Sequence, residues 1–427
     1  MKKSTLPNYD VIVFGGGAAG VPAAVQAARA GARTLLVEKT GLLGGTATTA
    51  GVNFPGLFHA WGRQVIAGIG WEIVLKAVRE GGGTLPDFGR PTPHQSQHQV
   101  KVDIGVYAAL CDEAVLESGA ELLLHSMPGG AQRREDGWQV TLCTKAGLES
   151  VTTKVLIDCT GDANLVALAG GELVYPEVFQ PATLVMLASG YDPDRLDIDA
   201  INCAYEEYVA EGLLEYTDSG WKVAQANAGH WLLSRGSNAN HIPNLRAHDS
   251  RSKTALDVAG RRSLLRLYRF LKTQPGLENL RIDYLAAETG VRESVVIRGR
   301  ETITEADYVS GRLWDDALCY SFYPVDLHTN TGDGLDLRPL PEGVVPSVPR
   351  GALLPANLTG IVAAGRCVSS DRAANSALRV QASCMAMGQA SGALAALAAR
   401  HDLDLADVPV RAVRALLRQH GAIVPAV

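Results

Sequence analysis

Val11-Ile-Val-Phe14 is an unbroken apolar run, mostly β-branched, the pattern of a strand buried on both faces in a parallel sheet. The period then changes. Val21 to Ala30 is Ala-rich, with Pro22 near its start, where a missing N–H costs little, and this predicts a helix. Gly31 closes the helix, and Arg33 to Val37 is a second apolar strand. Further helices are predicted over Trp71 to Glu80 and Val102 to Ser118, with a strand over Ala120 to His125. Trp138 to Cys143 and Val151 to Thr153 pattern as paired strands around Lys145-Ala-Gly147, and Lys154 to Ala169 repeats the order strand, glycine turn, helix. Strands alternating with helices predict a parallel α/β sheet, and the hairpin signals add an antiparallel meander.

From about Pro181 to Val345 glycine thins, while Tyr, Trp and charged residues rise. Asp192 to Gly212 and Asp249 to Thr273 read as helices, the second with a solvated face of Arg261, Arg262, Arg266 and Arg269. Leu280 to Leu285, Val295 to Ile297 and Leu318 to Tyr323 read as strands. Gly360-Ile-Val-Ala-Ala-Gly-Arg366 is again an apolar strand ending in glycine, and a long Ala-rich helix comes after it. Val380 to Ala399 carries no charge and is long enough to span a bilayer. Gln381, Ser383, Gln389 and Ser391 within it favour a buried helix instead.

The first strand and helix are joined by Gly15-Gly-Gly17-Ala18-Ala19-Gly20, a G-x-G-x-x-G turn. Gly15 suits the tight turn, Gly17 a close approach of backbone to a pyrophosphate, and Gly20 close helix–strand packing. The helix N-terminus would face the phosphates with unpaired N–H groups. Glu38, eighteen residues past Gly20, is placed to accept both hydroxyls of an adenosine ribose. The same unit alone would bind a nicotinamide dinucleotide.

The stretch after Glu38 bears on which dinucleotide binds. Lys39 to Thr49 holds a doublet, Gly44-Gly45, and then Thr46-Ala-Thr-Thr49. This resembles the FAD-dependent oxidoreductases of the glutathione-reductase-like superfamily, in which such a doublet wraps the cofactor towards its flavin. Thr160-Gly161-Asp162 resembles the turn where those chains return to the cofactor, and Ala364-Gly365-Arg366-Cys367 their flavin-binding segment. Together with Gly290-Val-Arg-Glu-Ser294, these motifs resemble a broad bacterial family of FAD-dependent oxidoreductases over nearly the whole chain. The resemblance implies an α/β chain: a Rossmann-like FAD-binding domain, with a parallel sheet and antiparallel meander, interrupted by an inserted α+β substrate domain. The expected boundaries are 1–180, 181–345 and 346–427. It also implies a cofactor track over Gly15, Gly17, Ala18, Ala19, Gly20, Glu38, Lys39, Gly44, Gly45, Thr46, Met127, Thr160, Gly161, Asp162, Gly365, Arg366, Arg379 and Gln381. A helix starting near Gln381 would aim N–H groups at the flavin, with Arg379 adding charge and Gly388 and Gly392 packing it on the first βαβ unit.

Composition narrows the class only slightly. The chain has 427 residues, 47% hydrophobic and 20% charged, an ordinary globular balance. A net charge of −6 gives no basic footprint for nucleic acid. The seven cysteines are scattered, with no C-x-x-C, which speaks against iron–sulfur and redox-disulfide motifs and for a cytoplasmic protein of reduced thiols. No membrane element and no metal set are expected.

A flavin would bring its own redox chemistry, so the protein would need to hold a small-molecule substrate and manage its protons. Asp326 and His328 alternate along a strand and would share one face. His328 is the candidate acid or base, and Arg292 the candidate clamp for a carboxylate or polarised carbonyl. His59, in the loop Phe58 to Trp61, is a third candidate, while His94 and His98 fit an entrance. The expected activity is hydride transfer between flavin N5 and a small organic substrate, as dehydrogenase, oxidase or C=C reductase. The alternatives are an NAD-dependent dehydrogenase and a flavin-carrying electron-transfer subunit. Electron acceptor and oligomeric state, a homo-oligomer included, stay open.

Overall fold

The computed structural model describes residues 8–90, 95–222, 227–331 and 334–426. His94 lies outside the described residues. The chain opens as β1 (Tyr9–Phe14), α1 (Gly20–Arg29) and β2 (Thr34–Val37), then runs through α2 (Ile69–Glu80), α3 (Ile104–Glu117) and β3 (Glu121–Leu123). β4 (Met127–Arg134), β5 (Gly137–Thr144) and β6 (Gly147–Asp158) form the meander. The sheet runs β3-β2-β1-β6-β5-β4, with a seventh strand, Ile361–Ala363, also on β6. β6 serves two neighbourhoods. Its first half pairs antiparallel with β5, and its second half lies parallel between β1 and Ile361–Ala363.

That register aligns three strand ends. Phe14 pairs with Asp158, and Asp158 with Ala363. The turns at Gly15, Gly161 and Gly365, all with positive φ, therefore leave one carboxyl edge of the sheet, where ligands bind in open α/β folds. β4 is absent from the sequence expectation for a physical reason. Its Met-Pro-Gly-Gly-Ala-Gln-Arg-Arg stretch is a largely exposed edge strand, so no apolar alternation marks it.

Past the meander the chain builds a separate layer. β7 (Met186–Ser189) pairs antiparallel with β8 (Arg281–Leu285), and α4 (Ile198–Ala210) and α5 (Ser250–Leu271) cover it. Tyr205, Trp231, Leu267 and Phe270 form its own apolar core. Ile303, Tyr308, Leu318 and Phe322 join the main core instead. The arginine face of α5 is only partly solvated. Arg261 and Arg262 are exposed, but Arg266 donates to the buried Asp218 carboxylate at 2.7 and 3.0 Å. β9 (Val325–His328) comes next, then the sheet strand β10 (Ile361–Ala363), α6 (Arg372–Leu378) and α7 (Gln381–His401).

α7 is long and apolar enough to cross a membrane by length and composition, yet 94% of that window is buried inside the protein. It lies against α1 at backbone distance: a Cβ on Gly388 would sit 2.0 Å from the Ala19 carbonyl oxygen, and one on Gly392 2.3 Å from that of Ala23.

Candidate cofactor and substrate site

The first turn is held by Glu38. Its buried carboxylate accepts from the Gly16 N–H at 2.7 Å through Oε2, and from the Thr40 N–H and hydroxyl, both at 2.8 Å, through Oε1. Oε2 keeps a second lone pair for a ribose hydroxyl, whereas both lone pairs of Oε1 are taken by Thr40. The glycine doublet is tied to the same turn by Gly44 N–H to Gly16 O at 2.8 Å. Gly17 and Gly45 then face each other without side chains: a Cβ on Gly45 would lie 2.7 Å from the Gly17 Cα. Ala19, at the N-cap of α1, gives no side-chain cap. Val21 N–H already bonds the Gly17 carbonyl at 3.1 Å and Pro22 has no N–H, so what favours an anion at this cleft is the positive end of the helix dipole rather than a set of free first-turn N–H groups.

The other expected track residues divide. Met127 is half-exposed at the start of β4, beside Ser126, whose N–H bonds the Glu38 carbonyl at 3.0 Å. Lys39 is exposed and pairs with Glu288 at 3.4 Å. Asp162 accepts from the Ser294 hydroxyl at 2.6 Å and from Arg366, whose Nε also donates to Gly161 O at 3.0 Å. The side chains of Asp162 and Arg366 thus bind the second and third turns to each other. Thr160 donates to Asp158, which is fully buried and also accepts the Val166 N–H at 2.9 Å. Asp158 is the anchor of this turn, and only its place at the strand end, just before Thr160-Gly161, hinted at it. Gly365 brings the third turn onto the first, since its Cβ would meet that of Ala19 at 3.3 Å.

At the N-terminus of α7 a cavity of about 120 Å³ opens, lined among others by Thr46, Arg292, Tyr323, Asp326, His328 and Gln381. Gln381 donates to Val52 O at 2.8 Å, and its Oε1 is buried without a partner among the described residues. Arg379 reaches Gln180 Oε1 at 3.3 Å and the Asp326 carboxylate at 3.5 Å, and its Nε is buried and unpartnered in the same sense. A larger cavity, about 380 Å³, lies beside Val174, Val178 and Val296 and contains none of the candidate catalytic residues. The smaller one brings Arg292 and His328, two of the three candidate catalytic residues, together with Thr46, Arg379 and Gln381.

Asp326 and His328 do share a face: Asp326 Oδ1 lies 3.5 Å from His328 Nε2. His328 Nδ1 is 2.9 Å from Nε2 of His241, a residue the sequence did not single out. A proton on His328 Nε2 faces the carboxylate, and Nδ1 then accepts from His241; the opposite tautomer sets a lone pair against Asp326. Burial, and next the Arg292 charge, push His328 down to about 4 despite Asp326. Burial pushes His241 lower still, with Arg292 and His328 adding to it. Asp326 is raised by burial, but His328 and Arg379 outweigh this and hold it below the usual carboxylate range. Both imidazoles are neutral at pH 7 and the carboxylate is charged.

Arg292 is buried, and its Nη1 donates to Pro181 O at 2.7 Å and Thr183 Oγ1 at 2.8 Å. Its neighbour Glu293 turns to Arg372 and the Gln180 N–H, so the two do not pair with each other. His59 lies elsewhere. It stacks on Phe88 at 3.7 Å and meets Trp71 edge-on, and it does not line the cavity. Burial, and after it His98, pushes it down to about 4.

The model of the FAD dependent oxidoreductase family matches residues 10–417. The chain belongs to the FAD-dependent oxidoreductase family; it is an enzyme whose cofactor is FAD. The facing Gly17 and Gly45 backbones, and the orphaned polar atoms of Arg379 and Gln381 further along, fit that cofactor. Among curated proteins the chain is similar to dihydrolipoyl dehydrogenase of Trypanosoma brucei brucei, 49% identical over 53 residues. That match spans 12% of this chain and only 11% of the relative. Among solved structures it is similar to a geranylgeranyl bacteriochlorophyll reductase-like protein from Thermoplasma acidophilum, at 12% identity and TM-score 0.44, covering 96% of this chain and 83% of that one. A p-nitrophenol 4-monooxygenase from Pseudomonas putida DLL-E4 gives 11% identity and TM-score 0.43 over 96% and 83%.

Proposed function

We propose that the enzyme carries out hydride transfer between FAD and a small organic substrate held in the 120 Å³ cavity, on a chain of the glutathione-reductase-like type. The observation that carries the reading is convergence. The cavity sits at the N-terminus of α7, and Arg292, Asp326 and His328 meet there with Thr46, Arg379 and Gln381 of the expected cofactor track. Bound FAD supplies hydride acceptance or donation at N5. Glu38 and the glycine turns hold its adenosine and pyrophosphate part, and the α7 terminus with Arg379 and Gln381 faces its other end. Arg292 orients the substrate. Asp326 meets the substrate proton as the charged member of its pair, and His328, fixed between Asp326 and His241, holds the proton that keeps that carboxylate poised. Residues 181–345 serve as the cap that excludes water, with 184–286 contributing a core of its own. An electron-transfer subunit needs no enclosed arginine, carboxylate and imidazole, so the enzyme reading is preferred.

The test is anaerobic flavin bleaching, or its reversal, across a panel of small metabolites, repeated with His328→Ala and Arg292→Ala. Arg292→Ala should act mainly on substrate concentration dependence and His328→Ala on the rate at saturation. Unchanged kinetics in both variants would place the chemistry outside this cavity.

A further inference from the structure

Charge in the cavity is not balanced. Two guanidiniums, Arg292 and Arg379, face one carboxylate, Asp326, and the carboxylate lies against Arg379 at 3.5 Å. Both histidines beside them are neutral at pH 7. No ion pair of Arg292 occurs among the described residues, and the two hydrogen bonds it makes both leave from Nη1 to neutral oxygens. Yet Arg292 is only 8% exposed. Burial, and then Arg379, pull it down to about 9, so it is still charged at neutral pH. A buried charge without a partner is costly unless a ligand supplies one.

Tyr323 lines the same cavity and adds a donor. Its hydroxyl accepts from Gln99 Nε2 at 3.2 Å, which leaves the O–H proton for another acceptor. Burial, and next Asp326, raise it to about 12, so the phenol stays protonated. A buried guanidinium beside a phenol O–H is a donor set for a planar monoanion. A phosphate ester, at close to two negative charges, would overshoot the single unbalanced charge.

Resting on the hydride-transfer reading of this cavity, we propose that the substrate is an organic carboxylate whose anionic group is held by Arg292 and the Tyr323 hydroxyl. The free N–H groups of Arg292 bond the carboxylate, Tyr323 donates to one of its oxygens, and Arg379 remains with Asp326. The rest of the molecule then lies towards the Gln381 end of the cavity.

The test uses the FAD-loaded enzyme and three acid–amide pairs: acetate and acetamide, propionate and propionamide, benzoate and benzamide. Binding is measured by the visible flavin difference spectrum and, separately, by calorimetry. The acids should bind at least about tenfold more tightly than their amides. Arg292→Gln should weaken the acids about 30-fold or more, the scale for removing one partner of a buried charge pair, and leave the amides unaffected. Tyr323→Phe should weaken the acids about tenfold, as for a hydrogen bond to a charged group. Arg292→Lys should retain part of the preference. Equal affinity of acids and amides in the unmodified enzyme overturns the proposal without any variant. Arg292→Gln that loses FAD while keeping acid affinity also overturns it, since the partner of Arg292 would then be the cofactor. If acids bind through Arg292 but leave the flavin spectrum untouched in the presence of calorimetric heat, the carboxylate site stands and the active-site reading falls. If only neutral compounds bleach the flavin, and do so through Arg292 and His328, the active site stands and the carboxylate class falls.

Discussion

Gly17 and Gly20 sit three residues apart in one turn, and substitution should fail for opposite reasons. A Cβ on Gly20 would lie 1.6 Å from the Gly15 carbonyl oxygen, which no side-chain motion relieves. Gly20→Ala must therefore shift α1 off β1, at a cost of about 3 kcal/mol or more, out of a total that is usually about 5–15 kcal/mol. A Cβ on Gly17 meets only the Gly45 Cα, at 3.7 Å, an ordinary contact. Gly17→Ala should leave the FAD-free protein as stable as before, or more stable by about 0.4–1 kcal/mol through the unfolded chain. Gly17→Val sets two further methyl groups in the gap between the glycine turns, where the proposed cofactor track runs. The assay is unfolding of deflavinated protein with and without added FAD, together with visible absorbance of retained flavin. FAD at a hundredfold its Kd should stabilise the unmodified protein by about 2.7 kcal/mol. Gly17→Val should lose that increment while matching the unmodified protein without FAD, and Gly20→Ala should be less stable in both states. A folded, fully flavin-loaded Gly17→Val protein refutes the placement of the cofactor.

Glu38→Ala removes acceptors from Gly16 and Thr40, so it should lower both FAD retention and the stability of the FAD-free protein, the latter by about 1–3 kcal/mol; retention lost with stability unchanged would show that the carboxylate serves the ribose alone. His328→Ala should keep FAD and slow flavin reduction about 100-fold, and because this imidazole is pulled down to about 4, any limb it contributes to the pH profile belongs near pH 4; a limb near 6.5 that disappears with the variant contradicts the assignment. The same shift makes the fold acid-sensitive. His328 stays neutral in the folded chain while the unfolded chain takes up a proton near 6.5, so its contribution is present above 6.5 and lost as pH falls towards 4. A displacement from 6.5 to about 4 corresponds to about 3 kcal/mol, measurable as a falling denaturation midpoint that flattens in His328→Gln. Metal analysis should find no stoichiometric iron and sulfide, given the scattered cysteines; finding both would mean that distant thiols meet around a cluster.

The features legible in the sequence are those that backbone sterics impose locally. The turns at Gly15, Gly161 and Gly365 are visible because each comes after a short apolar strand, and the length and start of α7 because charge vanishes for a whole helix. β4 escaped because an exposed edge strand needs no apolar alternation. The cavity was legible in part. Asp326 and His328 declare themselves by strand alternation, and Tyr323 lies just before them on the same stretch, whereas His241 is 87 residues away in sequence and reaches His328 only through the fold. His59, offered by the loop Phe58 to Trp61, is instead stacked on Phe88 in an aromatic cluster and does not line the cavity.

The two halves of the site share supports. Arg366, at the third glycine turn, donates to the Gly161 carbonyl and to the Val291 carbonyl, at 3.0 and 2.5 Å, and pairs with Asp162. Asp162 in turn accepts from Ser294. The short stretch Val291-Arg292-Glu293-Ser294 is thus gripped on both sides of Arg292 by the residues that tie the second and third glycine turns together. Arg292 is held at its own end by Pro181 and Thr183, just before β7. A change at Arg366 therefore acts on both halves at once: it frees the Gly161 turn and loosens the backbone that aims Arg292. Arg366→Ala should lower FAD retention and substrate affinity together, a pairing that neither Glu38→Ala nor Arg292→Ala produces alone, and retention measured beside substrate titration would show it. Loss of one without the other would mean that the turn and the clamp are held independently.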